Sequence, residues 1–128
     1  MSEFTRSNGV CAFRCVASWL SPAVCVVHVA GELDIATAPA LAEHLREQTI
    51  TYPADLVLDL SAVTLLAANG VSVIVSALDD DSGIHGRLHL TGVTGNRPVE
   101  RVLHLTGVRP ILDVYDTLPT LLSTLHSR

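Results

Sequence analysis

Residues 60–78 are nineteen consecutive positions without a formal charge, almost the length a helix needs to cross a bilayer. The run is nevertheless interrupted. Asn69 and Gly70 sit near its middle, Ser61, Thr64, Ser72 and Ser76 dilute it, and Asp59, Asp79, Asp80 and Asp81 flank it where membrane spans carry Lys or Arg anchors. Val71, Ile74, Val75 and Leu78 recur at i, i+3, i+4 and i+7, the spacing of one apolar helix stripe. Just upstream, Leu56, Leu58 and Leu60 face one side of a strand with Val57 on the other, as in a strand inside a sheet. The run therefore reads as a core strand, a turn at 67–70 and a core-facing helix, with no membrane insertion.

The rest of the chain keeps this alternation of periods. Residues 10–19 alternate, a Ser21-Pro22 turn follows, and the apolar run 23–29 ends at Gly31, which predicts an antiparallel hairpin. Thr37 is placed to cap a helix running to about Gln48, with Pro39 in its first turn and Leu41, Ala42 and Leu45 on one stripe. Residues 86–92 read as a strand, and Val99, Val102, Leu103 and Thr106 as a helix stripe closed by Gly107. Residues 111–115 read as a short strand, and Thr117 caps a last helix carrying Leu118, Leu121, Leu122 and Leu125. The order ββαβαβαβα predicts an α/β domain with a mixed, mostly parallel sheet and an N-terminal antiparallel hairpin. At 128 residues the chain is expected to form a single domain over 10–126, preceded by a tail at 1–9. The first residues lack a secretory apolar segment, so a cytoplasmic location is expected.

Composition narrows the function. Eight Lys+Arg against thirteen Asp+Glu give a net charge of −5, and no basic cluster stands out along the chain, which argues against a nucleic-acid partner. Apolar residues make up 48% and aromatics only 4%, so the core is aliphatic. None of the six histidines has the spacing of a nucleophile–base pair, and His85 and His89 fall on a strand instead of a helical metal-binding face. No enzyme, metal or cofactor is expected. Cys11, Cys15 and Cys25 read as small core residues; a redox role is the alternative, with any disulfide joining Cys25 to Cys11 or Cys15 across the hairpin.

In open α/β sheets, ligands gather at the carboxyl ends of strands, which points to loops 31–37, 66–72 and 91–98, expected on one rim. Asp34, in G-E-L-D, should lie beside 67–70, either accepting local backbone hydrogen bonds or contacting a partner. Gly92, Gly95, Asn96 and Arg97, within T-G-V-T-G-N-R-P, are candidate phosphate contacts at a helix N-terminus, although the G-x-G-x-x-G spacing is missing.

Four stretches in order carry a resemblance: V-A-G-E-L-D-I-A-T-A-P-A-L at 29–41, L-V-L-D-L-S-A-V-T-L-L at 56–66, the turn and helix that follow, and V-E-R-V-L-H-L-T-G-V at 99–108. Together they resemble the STAS domain and, more narrowly, bacterial anti-sigma factor antagonists. The resemblance implies a protein that binds an anti-sigma factor, often an ATP-binding, kinase-like protein, and so releases a sigma factor for transcription. It also implies a switch, phosphorylation of a serine in a D-S-S-G turn. Here that turn reads Ala67, Ala68, Asn69, Gly70, with Ala68 in the phosphoserine position and Ala67 in place of the aspartate. The expectation is an antagonist that acts without phosphorylation at residue 68 and meets its partner through Asp34, Ala67, Ala68, Asn69, Gly70, Val71 and Ser72. Ser72 and Ser76 are the alternative acceptors. The alternative function is a regulatory STAS module that binds a nucleotide, a lipid or another protein.

Overall fold

A computed structural model describes residues 2–7 and 12–127. Strands β1 (Ser2–Ser7), β2 (Ala12–Ser21), β3 (Val24–Leu33), β4 (Asp55–Leu66) and β5 (Arg87–Thr91) lie side by side in that order. The β1–β2 and β2–β3 pairs are antiparallel, whereas β3–β4 and β4–β5 are parallel. The parallel pairs require crossovers, supplied by helices α1 (Ala38–Gln48) and α2 (Ala68–Ser76). Helices α3 (Arg97–Leu105) and α4 (Leu118–His126) follow β5.

The main core lies between one sheet face and helices α1, α2 and α3. Cys15, Val27, Leu58 and Leu60 from the sheet meet Leu41, Leu45, Ile74, Val99 and Leu103 from the helices. Helix α4 packs on the opposite face, where Leu121 buries Val26 and Val57. That helix leaves part of its sheet face open, with the partly exposed His28 and Asp59 side chains paired 2.8 Å apart. Burial on both faces explains why β5 does not alternate: Leu88, His89, Leu90 and Thr91 are all buried. The His89 ring is sandwiched between carboxylates, its Nε2 lying 2.8 Å from Asp55 and its Nδ1 against Asp113, so it ties β4 and β5 to the segment leading into α4.

Strand β4 carries two more residues than the stretch of β3 it pairs with. His28 aligns with Asp59 but Ala30 with Ala62, and Gly31 aligns with Val63 but Glu32 with Leu65. Each extra residue shifts the phase at which side chains meet the sheet faces. Inward positions after Leu60 are consequently Val63 and Leu66, while Leu65 is 41% exposed.

Several expectations are corrected. Residues 1–9, expected as a tail, include β1, which extends the sheet by pairing with the outer edge of β2. Residues 111–115 do not form a strand: Pro110 sits in a 3-10 turn at Arg109–Ile111, and only Val114 aligns with Leu90. Two backbone hydrogen bonds on Leu90 hold it there. The apolar stripe of α2 stops short of Leu78, because the helix ends at Ser76 and Asp79 starts a 3-10 turn by accepting the Asp81 N–H; Ala77 is buried in its place. Thr37 occupies the N-cap position of α1, but its side chain accepts no hydrogen bond from the first turn. Asp34 accepts the N–H groups entering the helix instead, its carbonyl taking the Ala38 N–H at 2.8 Å. Thr117 does cap α4, accepting the Thr120 N–H, and Gly107, with φ of 73°, follows α3 as a C′ residue.

The β4–β5 divergence rests on close backbone approach. Gly92, with φ of 76°, would place a Cβ 2.1 Å from the Ser61 backbone nitrogen, whereas Gly95, with φ of 83°, has open space around it. Gly95→Ala should therefore cost only the left-handed strain, about 1–2 kcal/mol, while Gly92→Ala must also displace backbone and should cost well beyond that in urea unfolding. Equal costs would contradict this packing. Nearby, burial opposes ionisation of Asp59, but the Ser61 N–H and His28 hold its pKa below the usual carboxylate value. A lowered carboxylate pKa stabilises above its unfolded value, near 3.9, and that stabilisation is lost as pH falls through the folded value. The stability gap between the native chain and Asp59→Asn should thus narrow as unfolding is measured at successively lower pH below 4.

Candidate functional site

Two of the three loops meet at one rim. Leu33 and Leu66 are paired at the ends of β3 and β4, and the Ala67 N–H donates to the Leu33 carbonyl at 2.9 Å. Asp34 and Ala67 therefore follow adjacent strand ends, which lie about 4.8 Å apart in a sheet. The third loop does not reach this rim. Asn96 in that loop donates through its side-chain amide to the carbonyls of Leu60 and Val63, at 2.9 and 3.0 Å. Val63 is four residues before Ala67, about 13 Å along a strand.

Asp34 shapes its loop by local bonding. Its Oδ1 accepts the N–H groups of Ala36 at 2.9 Å and Thr37 at 3.2 Å, and its own N–H donates to Thr37 Oγ1 at 2.9 Å. The Thr37 hydroxyl donates in turn to the Glu32 carbonyl at 2.8 Å. This reciprocal capping fixes the path between β3 and α1 and leaves Ile35 73% exposed at the loop tip.

The start of α2 carries no charge. Ala67 occupies the N-cap position in an extended conformation, and its methyl group cannot accept a hydrogen bond from the first turn. Ala68, Asn69 and Ser72 are exposed, whereas Gly70 and Val71 are buried and support the turn from beneath. A Cβ on Gly70 would lie 2.7 Å from Leu33 Cγ and 2.8 Å from Leu66 Cδ1, so glycine lets α2 sit directly on the paired strand ends. The Ser72 hydroxyl donates back to the Ala68 carbonyl at 3.1 Å and is satisfied within the helix.

The other sequence candidates separate. Gly92, Gly95, Asn96 and Arg97 do line one cavity with the 61–64 edge of β4, of about 650 Å³. Glu100 already fills the anion position, accepting the Gly95 N–H at 2.8 Å, and Asp116 lines the same cavity. Cys11 lies outside the described residues. Cys15 and Cys25 are buried and unoxidised, and they pair with Val29 and Trp19 respectively, four residues apart along the β2–β3 ladder. That offset is about 13 Å, beyond disulfide reach. Burial pushes the Cys15 thiol up to about 12 and the Cys25 thiol to about 11. Of the two readings offered for Asp34, the local backbone hydrogen bonds are the one seen, while the exposure of Leu65 escaped the sequence reading. That exposure follows from bulges that leave no local signature.

Known proteins share this fold. The STAS domain family pattern matches residues 20–121. The anti-sigma-F factor antagonist RsfB of Mycobacterium tuberculosis is 32% identical over 96 residues, covering 74% of this chain and 75% of the relative. Among solved structures, an anti-sigma factor antagonist from Mycobacterium paratuberculosis superposes with a TM-score of 0.76 at 28% identity, covering 89% of this chain and 94% of that one. The unphosphorylated form of the anti-sigma factor antagonist SpoIIAA shares the fold with a TM-score of 0.71 at 13% identity, covering 89% and 97%.

Two outcomes follow from the site. Ala67→Asp supplies the missing N-cap acceptor and should stabilise the fold by about 1 kcal/mol in chemical denaturation; a neutral or destabilising result would contradict the open cap. Cys15 and Cys25 should resist alkylation at pH 8 until the chain unfolds. Their raised pKa values contribute stability in full below the unfolded thiol value near 9, a contribution lost as pH rises toward about 11 and 12. The matched pattern, the relatives and the shared architecture together place this chain in the STAS domain family, among the anti-sigma factor antagonists.

Proposed function

We propose that this chain binds an anti-sigma factor through the rim formed by loops 31–37 and 66–72, and that it does so without a phosphate switch at residue 68. The observation that carries this reading is the exposed Ala68 at the uncapped start of α2, on a rim whose two strand ends also carry exposed Ile35 and Leu65. The rim offers apolar side chains and unpaired N–H groups of the first helical turn, which suits a partner surface of apolar side chains ringed by hydrogen-bond acceptors. Ala68, Asn69 and Ser72 make contact; Asp34 holds the neighbouring loop, and Gly70 and Val71 hold the turn. The chain acts by binding, in the cytoplasm, and its partner is an anti-sigma factor, in keeping with relatives named anti-sigma factor antagonists; that this partner is ATP-binding and kinase-like is what the family resemblance implies.

A phosphorylated residue at 68 would add nearly two negative charges at this apolar contact. Alanine cannot accept a phosphate, so complex formation with the cognate anti-sigma factor should show the same Kd with and without Mg-ATP in calorimetric titration. Ala68→Glu should weaken binding by about tenfold or more, by burying a charge against the partner. Ala68→Ser should make the complex sensitive to ATP if the partner is a kinase. Absence of a complex with every candidate anti-sigma factor, or loss of native binding on adding ATP, would overturn the reading.

A further inference from the structure

All eight basic side chains of this acidic protein other than histidine are arginines, and three of them converge on one open cavity. Arg97 and Arg101, with His104, fall at i, i+4 and i+7 of α3, opposite the buried Val99 and Leu103. Gly107, with φ of 73°, turns the chain back after the helix so that Arg109 lines the same cavity. The cavity measures about 860 Å³. Among the described residues, the guanidinium groups of Arg97, Arg101 and Arg109 make no hydrogen bond or ion pair. The one carboxylate on this wall, Glu100, is engaged with the Gly95 N–H. Like charges at i and i+4 repel, and Glu100 is the single carboxylate lining the cavity against three arginines.

We propose that this face of α3 binds a ligand bearing clustered phosphate groups, seated across Arg97, Arg101 and Arg109. Guanidinium groups match phosphate oxygens with paired N–H donors, and three of them converging on one cavity suit two or more phosphates better than a single carboxylate. The site is separate from the rim, where no arginine is found among the described residues of loops 31–37 and 66–72. It therefore stands or falls independently of anti-sigma factor binding.

The test uses the full chain at low ionic strength. Calorimetric titration with inorganic pyrophosphate should show saturable one-to-one binding, weakened about tenfold by Arg101→Gln and again by Arg97→Gln. Circular dichroism of these exposed-site variants should stay native. Sedimentation with phosphatidylcholine vesicles carrying a phosphoinositide bisphosphate distinguishes the source: binding to pyrophosphate alone assigns a soluble phosphate ligand, and binding to the vesicles assigns a lipid headgroup. Either supports the site provided Arg101→Gln weakens it by a similar factor. Absence of binding to both probes, binding indifferent to the substitutions, or tighter binding of a polyglutamate peptide than of pyrophosphate would overturn the proposal.

Discussion

The rim depends on one packing constraint, the seating of the first turn of α2 on the paired ends of β3 and β4. Leu33 and Leu66 must end level for the Ala67 N–H to reach the Leu33 carbonyl, and residue 70 must lack a Cβ for the helix to settle on both leucines. The two extra residues in β4 make this register possible and turn Leu65 outward as they do so. Overfilling such a contact typically costs 1–3 kcal/mol, about a fifth of a small domain's total stability. The glycine retained from the family turn is thus explained by packing beneath the surface, while the residues beside it are released to change.

That release gives the site its chemistry. Where the family turn implied by the resemblance has an aspartate and a phosphorylatable serine, Ala67 and Ala68 leave the helix start without a cap, a charge or a hydroxyl. The neighbouring loop keeps its form through Asp34, whose bonds to Ala36 and Thr37 are internal. The result is a surface whose shape is held by backbone hydrogen bonds and whose character is apolar. Three of the eight arginines gather elsewhere, along the outer face of α3 and the turn after it.

Much of the architecture was legible in the sequence because each element carried a local period. The long uncharged run divided correctly into strand, turn and helix at Ala67, and Thr117 and Gly107 behaved as helix-end residues. Three things were not legible. The 111–115 segment has strand-like composition, but Pro110 and the length of β5 leave only Val114 a partner, which is a matter of tertiary alignment. The phosphate-like loop at 91–98 looked open in sequence, yet Glu100 from the following helix and Asn96 from the loop itself satisfy it from within. The arginine face on α3 is dispersed over thirteen positions of sequence, from Arg97 to Arg109, and becomes a cluster only when Gly107 reverses the chain.

The central claim is that the rim itself is the partner surface, and amide hydrogen exchange of the chain with and without its cognate anti-sigma factor tests this most directly. Slowed exchange at 34–38 and 67–73 in the complex, with α4 and β2 unchanged, is the pattern this structure predicts. Protection confined to α4 or to the arginine face of α3, leaving the start of α2 as it is in the free protein, would contradict it.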